Sequence, residues 1–496
     1  MVQSLLSVLL LFVFSITLAH ADVETVAAKI EQLRKDHGVA AVSLVLVDRD
    51  GLLLHRSTGV VDLKQRKPVD ADTVFRVGSI TKTFTGLALV RAEAKGLLRL
   101  DQPIRQLAPR ASFENRWESS APLTLAELLE HSAGWPDMSR AEFDSNDSRP
   151  LSLAEALALR PASRVSQWRP GEHSEYSNSG PGLAAWVLEQ VVHQAFEAFA
   201  HAEVFKPLGM SSASLLPDAV TRTHLAQGYD RDGITPLPYW NVLYRPAAGL
   251  NLNPRDMAPL LRMLLNRGRV DGKIFLSPEQ VSRLEHPRTT IAAHAGLDYG
   301  YGLGIYAEQH QGHTIYMHGG DADGYLSHYA YSLESGRGYF FVITAFQSDT
   351  ENAMREVVED WLVEGLPTAM APPIVKLSPA RLKELSGEYF AATTRFVSPQ
   401  WQLQNLRVTV RNGQLITRGP DGDELELLAV DALRFRRPWE TVATTIFVTQ
   451  PDGRIVLQGP MGNWQRPARR DSSPPPFAAP DSHPPAVAPA APAKPR

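Results

Sequence analysis

Strand-like runs stand at both ends of the first 365 or so residues of this 496-residue chain, and a long helical stretch separates them. Residues 42–47 and 52–54 read as a β-hairpin across Asp48-Arg49-Asp50-Gly51, since aliphatic runs flanking an Asp/Gly turn are the short-range hairpin signal. Further strands are expected near 304–306, 314–317, 326–332 and 339–345. From 101 to 264 apolar residues recur mainly at helical spacing, interrupted by loops such as Trp168-Arg169-Pro170-Gly171 and Ile234-Thr235-Pro236-Leu237-Pro238. Helices are also expected over 23–37 and about 351–362. Strands at both ends of a helical middle predict an α+β fold: an antiparallel sheet flanked by its terminal helices, with an inserted helical subdomain. The active site belongs in the cleft between the two.

Length argues for a second domain, because single cores stop growing at about 250–300 residues. Ala371-Pro372-Pro373 marks a linker, and beyond it alternating runs at 406–410, 414–417 and 455–457 are separated by Asn412-Gly413, Asp421-Gly422 and Asp452-Gly453. Such punctuation predicts a small antiparallel β domain. Residues from Ser472 onward are rich in Pro and Ala, the composition of a disordered, partly polyproline tail. At the other end, 5–18 is a mostly apolar run followed by Ala19-His20-Ala21, the small-x-small pattern of a signal-peptidase site. The run is short of the ~20 residues of a spanning helix, so no stable membrane span is expected after cleavage. The expected organisation is a signal at 1–21, a catalytic domain at 22–368, a linker at 369–378, a β-rich domain at 379–468 and a tail at 469–496. A net charge of −4 without a basic run speaks against nucleic acid as a partner. The chain has no cysteine, which excludes disulfides and thiolate metal sites and suits a periplasmic or secreted protein.

Chemistry concentrates at Ser79, three residues before Lys82 in Phe75-Arg76-Val77-Gly78-Ser79-Ile80-Thr81-Lys82. Helical spacing puts hydroxyl and amine on one face, a turn apart. A serine needs a base within hydrogen-bond reach to act as nucleophile, and a desolvated lysine can supply one. Tyr176-Ser177-Asn178 opens another apolar-periodic stretch, and His318-Gly319-Gly320 follows a strand-like run. Tyr176 can share the base role with Lys82. The Asn178 amide can accept from Lys82 while donating to a substrate carbonyl. Gly319 and Gly320 allow close approach to the strand beside His318. Tyr239-Trp240-Asn241 repeats the Tyr-x-Asn spacing, but proline and bulky aromatics surround it.

These motifs, in this order, resemble those of the penicillin-recognising serine hydrolases, specifically the branch of class C β-lactamases, DD-peptidases, D-aminopeptidases and related esterases. The resemblance spans roughly residues 24–365, with softer echoes at 128–134 and at Ala248-Gly249-Leu250, read as scaffold positions. It implies that Ser79 forms an acyl-enzyme with Lys82 and Tyr176, and that Asn178, His318, Gly319 and Gly320 bind substrate. It also implies an oxyanion hole of the Ser79 and Asp321 backbone N–H groups. His318 stands where many relatives carry lysine, and the C-terminal β domain is similar to the lipocalin-like appendage of some of these hydrolases. The implied activity is an exported serine hydrolase acting on ester or amide substrates, D-amino-acid peptides included. A β-lactamase or DD-carboxypeptidase, and a non-catalytic sensor or binding module, are the alternatives. No metal or cofactor is expected: His294, His310, His313, His318 and His328 form no His-x-x-x-His pair with an adjacent glutamate. The partner is a small-molecule or peptide substrate, and the oligomeric state stays open.

Overall fold

A computed structural model describes residues 23–138, 142–147, 149–393, 405–420, 422–460 and 462–468. The expected signal and the expected tail lie outside these residues.

The sheet has six strands in the order Leu52–Gly59, Ala41–Asp48, Arg337–Ile343, Tyr325–Tyr331, His313–Ala322 and Tyr306–His310. Every neighbouring pair is antiparallel. Side chains alternate across a strand, and here both faces are covered. Val42, Leu44, Leu46, Phe341 and Ile343 join the core under the terminal helices, which contribute Val26, Ile30, Met354 and Trp361. Val45, Val47, Phe340 and Val342 face the helical subdomain. Burial on both faces explains why Ala41–Val47 is apolar at every position but Ser43 rather than alternating.

The middle of the chain is less helical than its periodicity suggests. Ser179–Val192 is a 14-residue helix, and a run over 196–208 passes through a π turn at His201–Phe205. Most other helices between 101 and 264 are short, such as the five-residue Leu125–Leu129 and seven-residue Leu153–Leu159. Each of these two begins on a capping box, Thr124 with Glu127 and Ser152 with Glu155, so the capping residues fix many starts while Pro and Gly force early ends.

Beyond residue 378, eight strands close a barrel in chain order, sealed where Gly387–Ala391 pairs with Gly462–Arg466. Its interior holds Leu385, Tyr389, Val408, Leu415, Phe435, Phe447, Leu457 and Trp464. Within the expected linker, the Val375 N–H donates to the Ala429 carbonyl at 2.8 Å, and Leu377 packs into the barrel core.

Candidate active site

Ser79 sits in a 3₁₀ turn, Gly78–Ile80, just before the helix Thr81–Ala94, not in the first α-helical turn that its spacing predicts. The cause is Gly78, at φ +50°, which a Cβ would drive into the Asp321 backbone at 2.3–2.7 Å. Thr81 secures the turn by donating Oγ1–H to the Gly78 carbonyl at 2.6 Å. The strand end and the serine turn therefore touch backbone to backbone. Gly320 has the same origin, since a Cβ there would lie 2.0 Å from the Val77 carbonyl. Its glycine serves this contact, and of the two glycines it is Gly319 that lines the cavity.

Lys82 is 1% exposed, and its Nζ lies 3.0 Å from Ser79 Oγ, 2.6 Å from Asn178 Oδ1 and 2.9 Å from the Ala247 carbonyl. The amine donates to all three oxygens, so Ser79 Oγ shares one nitrogen with Asn178 and the Ala247 carbonyl. The Tyr176 ring lies beneath the same amine, 4.8 Å from Nζ to the ring centroid. Asn178 takes the N-cap position of Ser179–Val192 without its side chain capping the helix. Its amide nitrogen donates to both Asp137 oxygens at 3.1 Å, and its backbone N–H to Oδ1 at 2.9 Å. The structure thus brings Asn178 to Lys82 as expected, but turns its N–H groups toward Asp137 rather than a substrate carbonyl.

His318 is 2% exposed; its Nδ1 donates to the Gly319 carbonyl at 2.5 Å, and its Nε2 shares a hydrogen bond with the Tyr301 hydroxyl at 2.7 Å. Ser79, Tyr176, His318, Gly319 and Asp321 line one cavity of about 570 Å³, a size suited to a small ligand. Tyr239 lies elsewhere, under the Arg76 guanidinium and beside Asn251.

Three contributors escaped the sequence reading. Asp137 follows the 128–134 echo by three residues, in Trp135-Pro136-Asp137. His131 belongs to that echo and is more than scaffold. At φ +59° it places its ring 4.4 Å from that of Tyr176. Its carbonyl accepts from the Glu175 N–H at 2.7 Å, and its Nδ1 from the Ser177 N–H at 3.2 Å. Tyr301 stands in Gly300-Tyr301-Gly302-Leu303-Gly304, where alternate glycines were an available signal. Cβ atoms at Gly302 and Gly304 would meet the Leu284 and Lys82 carbonyls at 2.3 and 2.5 Å. Among the described residues, no group of three or more His, Asp or Glu side chains is placed to hold a metal ion. None of the described helices is long and apolar enough to cross a membrane.

A six-stranded antiparallel sheet beside a helical subdomain, with serine and lysine a turn apart at the junction, is the architecture of the β-lactamase-fold family of serine hydrolases. Residues 26–360 match the family model described as Beta-lactamase, and the chain belongs to that family. "Protein flp" of Staphylococcus aureus (strain COL) is 25% identical over 237 residues, 47% of each chain. The chain spans about half the length of the curated relatives it matches. Among solved structures, the octameric penicillin-binding protein homologue from Pyrococcus abyssi aligns with TM-score 0.57 at 20% identity, over 90% of this chain and 100% of that one. SurE aligns with TM-score 0.59 at 22% identity, over 90% and 99%. The D-amino acid amidase from Ochrobactrum anthropi SV3 aligns with TM-score 0.55 at 19% identity, over 68% and 98%. At these identities the likeness is one of fold, and in the first two it extends over both the hydrolase part and the barrel.

Proposed function

We propose that the chain is an exported serine hydrolase that cleaves uncharged or cationic esters and amides through an acyl-enzyme on Ser79. The observation that carries this reading is the buried Lys82 Nζ, 3.0 Å from Ser79 Oγ, with the Asn178 oxygen and the Ala247 carbonyl occupying its other directions. Ser79 Oγ attacks the carbonyl carbon and its proton passes to Lys82. Tyr176, against Lys82, hands a proton to the departing alcohol or amine and later takes one from the attacking water, releasing the acid. Ser79 and Asp321, in backbone contact through Gly78, are the oxyanion donors in this reading; one such donor is typically worth about 100 to 1,000-fold in rate. Export rests on the apolar run at 5–18 with its Ala19-His20-Ala21 site.

Lactam and DD-peptide substrates carry a carboxylate beside the scissile bond. Recognising it calls for a cation, and a permanent one is worth more than an imidazole. His318 is 2% exposed, and both of its ring nitrogens are already hydrogen-bonded, Nδ1 to the Gly319 carbonyl and Nε2 to the Tyr301 hydroxyl. A fluorophosphonate probe is expected to label the wild-type chain at Ser79 and leave Ser79→Ala unlabelled. In parallel, p-nitrophenyl acetate should be turned over with higher kcat/KM than nitrocefin. Label on the Ser79→Ala protein ends the nucleophile assignment, and nitrocefin turnover at or above the ester rate makes the chain a β-lactamase instead.

A further inference from the structure

Five of the thirteen large apolar side chains exposed among the described residues lie along one seam, Met370, Ile374 and Val375 on the linker and Leu433 and Trp439 on the barrel. The two stretches run side by side in opposite directions. Ala369 lies beside Thr441, since a Cβ at Gly312 would meet their side chains at 3.1 and 2.9 Å. Further along, Arg436 donates Nη2–H to the Pro372 carbonyl at 3.5 Å, and the Val375 N–H donates to the Ala429 carbonyl at 2.8 Å. Leu377 then turns into the barrel core. These contacts fasten the linker to the barrel, so the apolar side chains left outside stand on a fixed support. Met370 is 89% exposed and Trp439 59%. Both protrude rather than line a concavity.

Cations border the seam. Residues 366–384 hold Lys376, Arg381 and Lys383 against Glu384, and residues 429–441 hold Arg434, Arg436 and Arg437 against Asp431 and Glu440. Arg381, Arg434 and Arg437 pair with these acids at 2.9, 2.7 and 3.7 Å. Arg436 is buried and donates to backbone carbonyls. Lys376 and Lys383 remain exposed, with no carboxylate partner among the described residues. The chain as a whole carries −4, so this positive excess is local. Protruding apolar side chains with a tryptophan among them suit the acyl boundary of a bilayer, and lysines beside them suit its anionic headgroups. A second copy fits the seam poorly, because it would set like charges against one another.

We infer that the seam between linker and barrel is a peripheral docking surface for an anionic lipid bilayer, entered by Met370, Ile374 and Trp439 with Lys376 and Lys383 at the headgroups. It is independent of the chemistry read at Ser79. The chain has no cysteine, so Met370→Cys and Ile274→Cys each accept a single nitrobenzoxadiazole label on the full chain. Ile274, 70% exposed in the hydrolase part, is the reference. Both proteins carry the apolar run at 5–18, so the comparison cancels its effect. On vesicles of phosphatidylglycerol and phosphatidylcholine in equal parts, the label at 370 should shift to the blue and brighten roughly twofold or more, and the label at 274 should not. In the Met370→Cys chain, Lys376→Gln should raise the lipid concentration for half-saturation about fivefold, the scale of one surface cation. Trp439→Ser should raise it about tenfold. A cooperative melt like that of the parent verifies that both variants fold. No change at 370, equal changes at 370 and 274, or an affinity unmoved by both substitutions overturns the inference. A change at 370 that follows protein concentration without lipid overturns it too, in favour of a second copy.

Discussion

His131 holds Tyr176 from both sides of the chain and from the face of the ring. Its carbonyl ties down residue 175, its Nδ1 ties down residue 177, and its ring packs on the tyrosine between them. A displacement of about 1 Å at a catalytic group can cost about 100-fold in rate. His131→Ala is therefore expected to lower kcat on p-nitrophenyl acetate by roughly 10 to 100-fold with KM nearly unchanged. His131→Asn, which tolerates the left-handed backbone and keeps an acceptor, should recover part of the loss. A raised KM with kcat intact would show that His131 shapes binding instead. In the proposed mechanism Lys82 and Tyr176 share one proton-transfer task, so Lys82→Ala and Tyr176→Phe should each remove most activity and the double variant little more. Multiplicative losses in that cycle would mean that they act separately.

The helix Thr81–Ala94 is buried along most of its length, and its placement depends on backbone contact with the segment carrying Tyr301. A Cβ at Gly86 would fall 1.8 Å from the Leu303 carbonyl, and Thr83 donates to the Gly304 carbonyl at 2.7 Å. Overpacking a site of this kind typically costs about 1–3 kcal/mol. Gly86→Ala should lower the thermal midpoint by several degrees and reduce turnover, because the helix moves Lys82 as it yields. A midpoint within a degree of wild type in differential scanning calorimetry would show that the Leu303 segment gives way instead. Much of this element is legible in sequence, since Ser79, Lys82 and the apolar positions after them share helical spacing. The 3₁₀ turn is not, because it follows from the Asp321 backbone pressing on Gly78 from 243 positions away.

Across the whole molecule, the barrel has its own core and docks through both apolar and polar contacts, with Ile446 packed on Ala292 and Leu297. Arg454 pairs with Glu172 at 2.5 Å, and the Thr441 N–H donates to Gln309 at 2.9 Å. His173 lies buried beside this interface, within reach of Arg454 and Gln465 of the barrel, and burial pushes its pKa down to about 4. A histidine depressed in the folded state binds fewer protons than in the unfolded chain between its two pKa values, so stability rises with pH there. The full chain should therefore hold its His173 contribution above about pH 6.5 and lose it as pH falls through about 4. In a chain ending at residue 368, His173 should titrate closer to the ordinary value, read by NMR, while a cooperative melt persists. Loss of the melt would mean that the barrel is required for the hydrolase core to fold.

Local rules carried the reading of this chain as far as they reach. Aliphatic runs and turn residues marked the sheet strands, and the spacing of Ser79 to Lys82 and of Tyr176 to Asn178 marked the chemistry, because each signal lies within a few consecutive residues. Packing decided the rest. The Ala247 carbonyl that holds Lys82 leaves no mark in sequence, since any residue supplies a carbonyl. Asp137 reaches Asn178 across 41 positions, and Asn463 reaches Ser174 across 289. Whether Gln458 faces the barrel interior or the Ser79 cavity, which it lines, is a matter of strand register, where a slip of one residue exchanges the two faces. Only the closed barrel and its docking set that register and so the lining of the cavity.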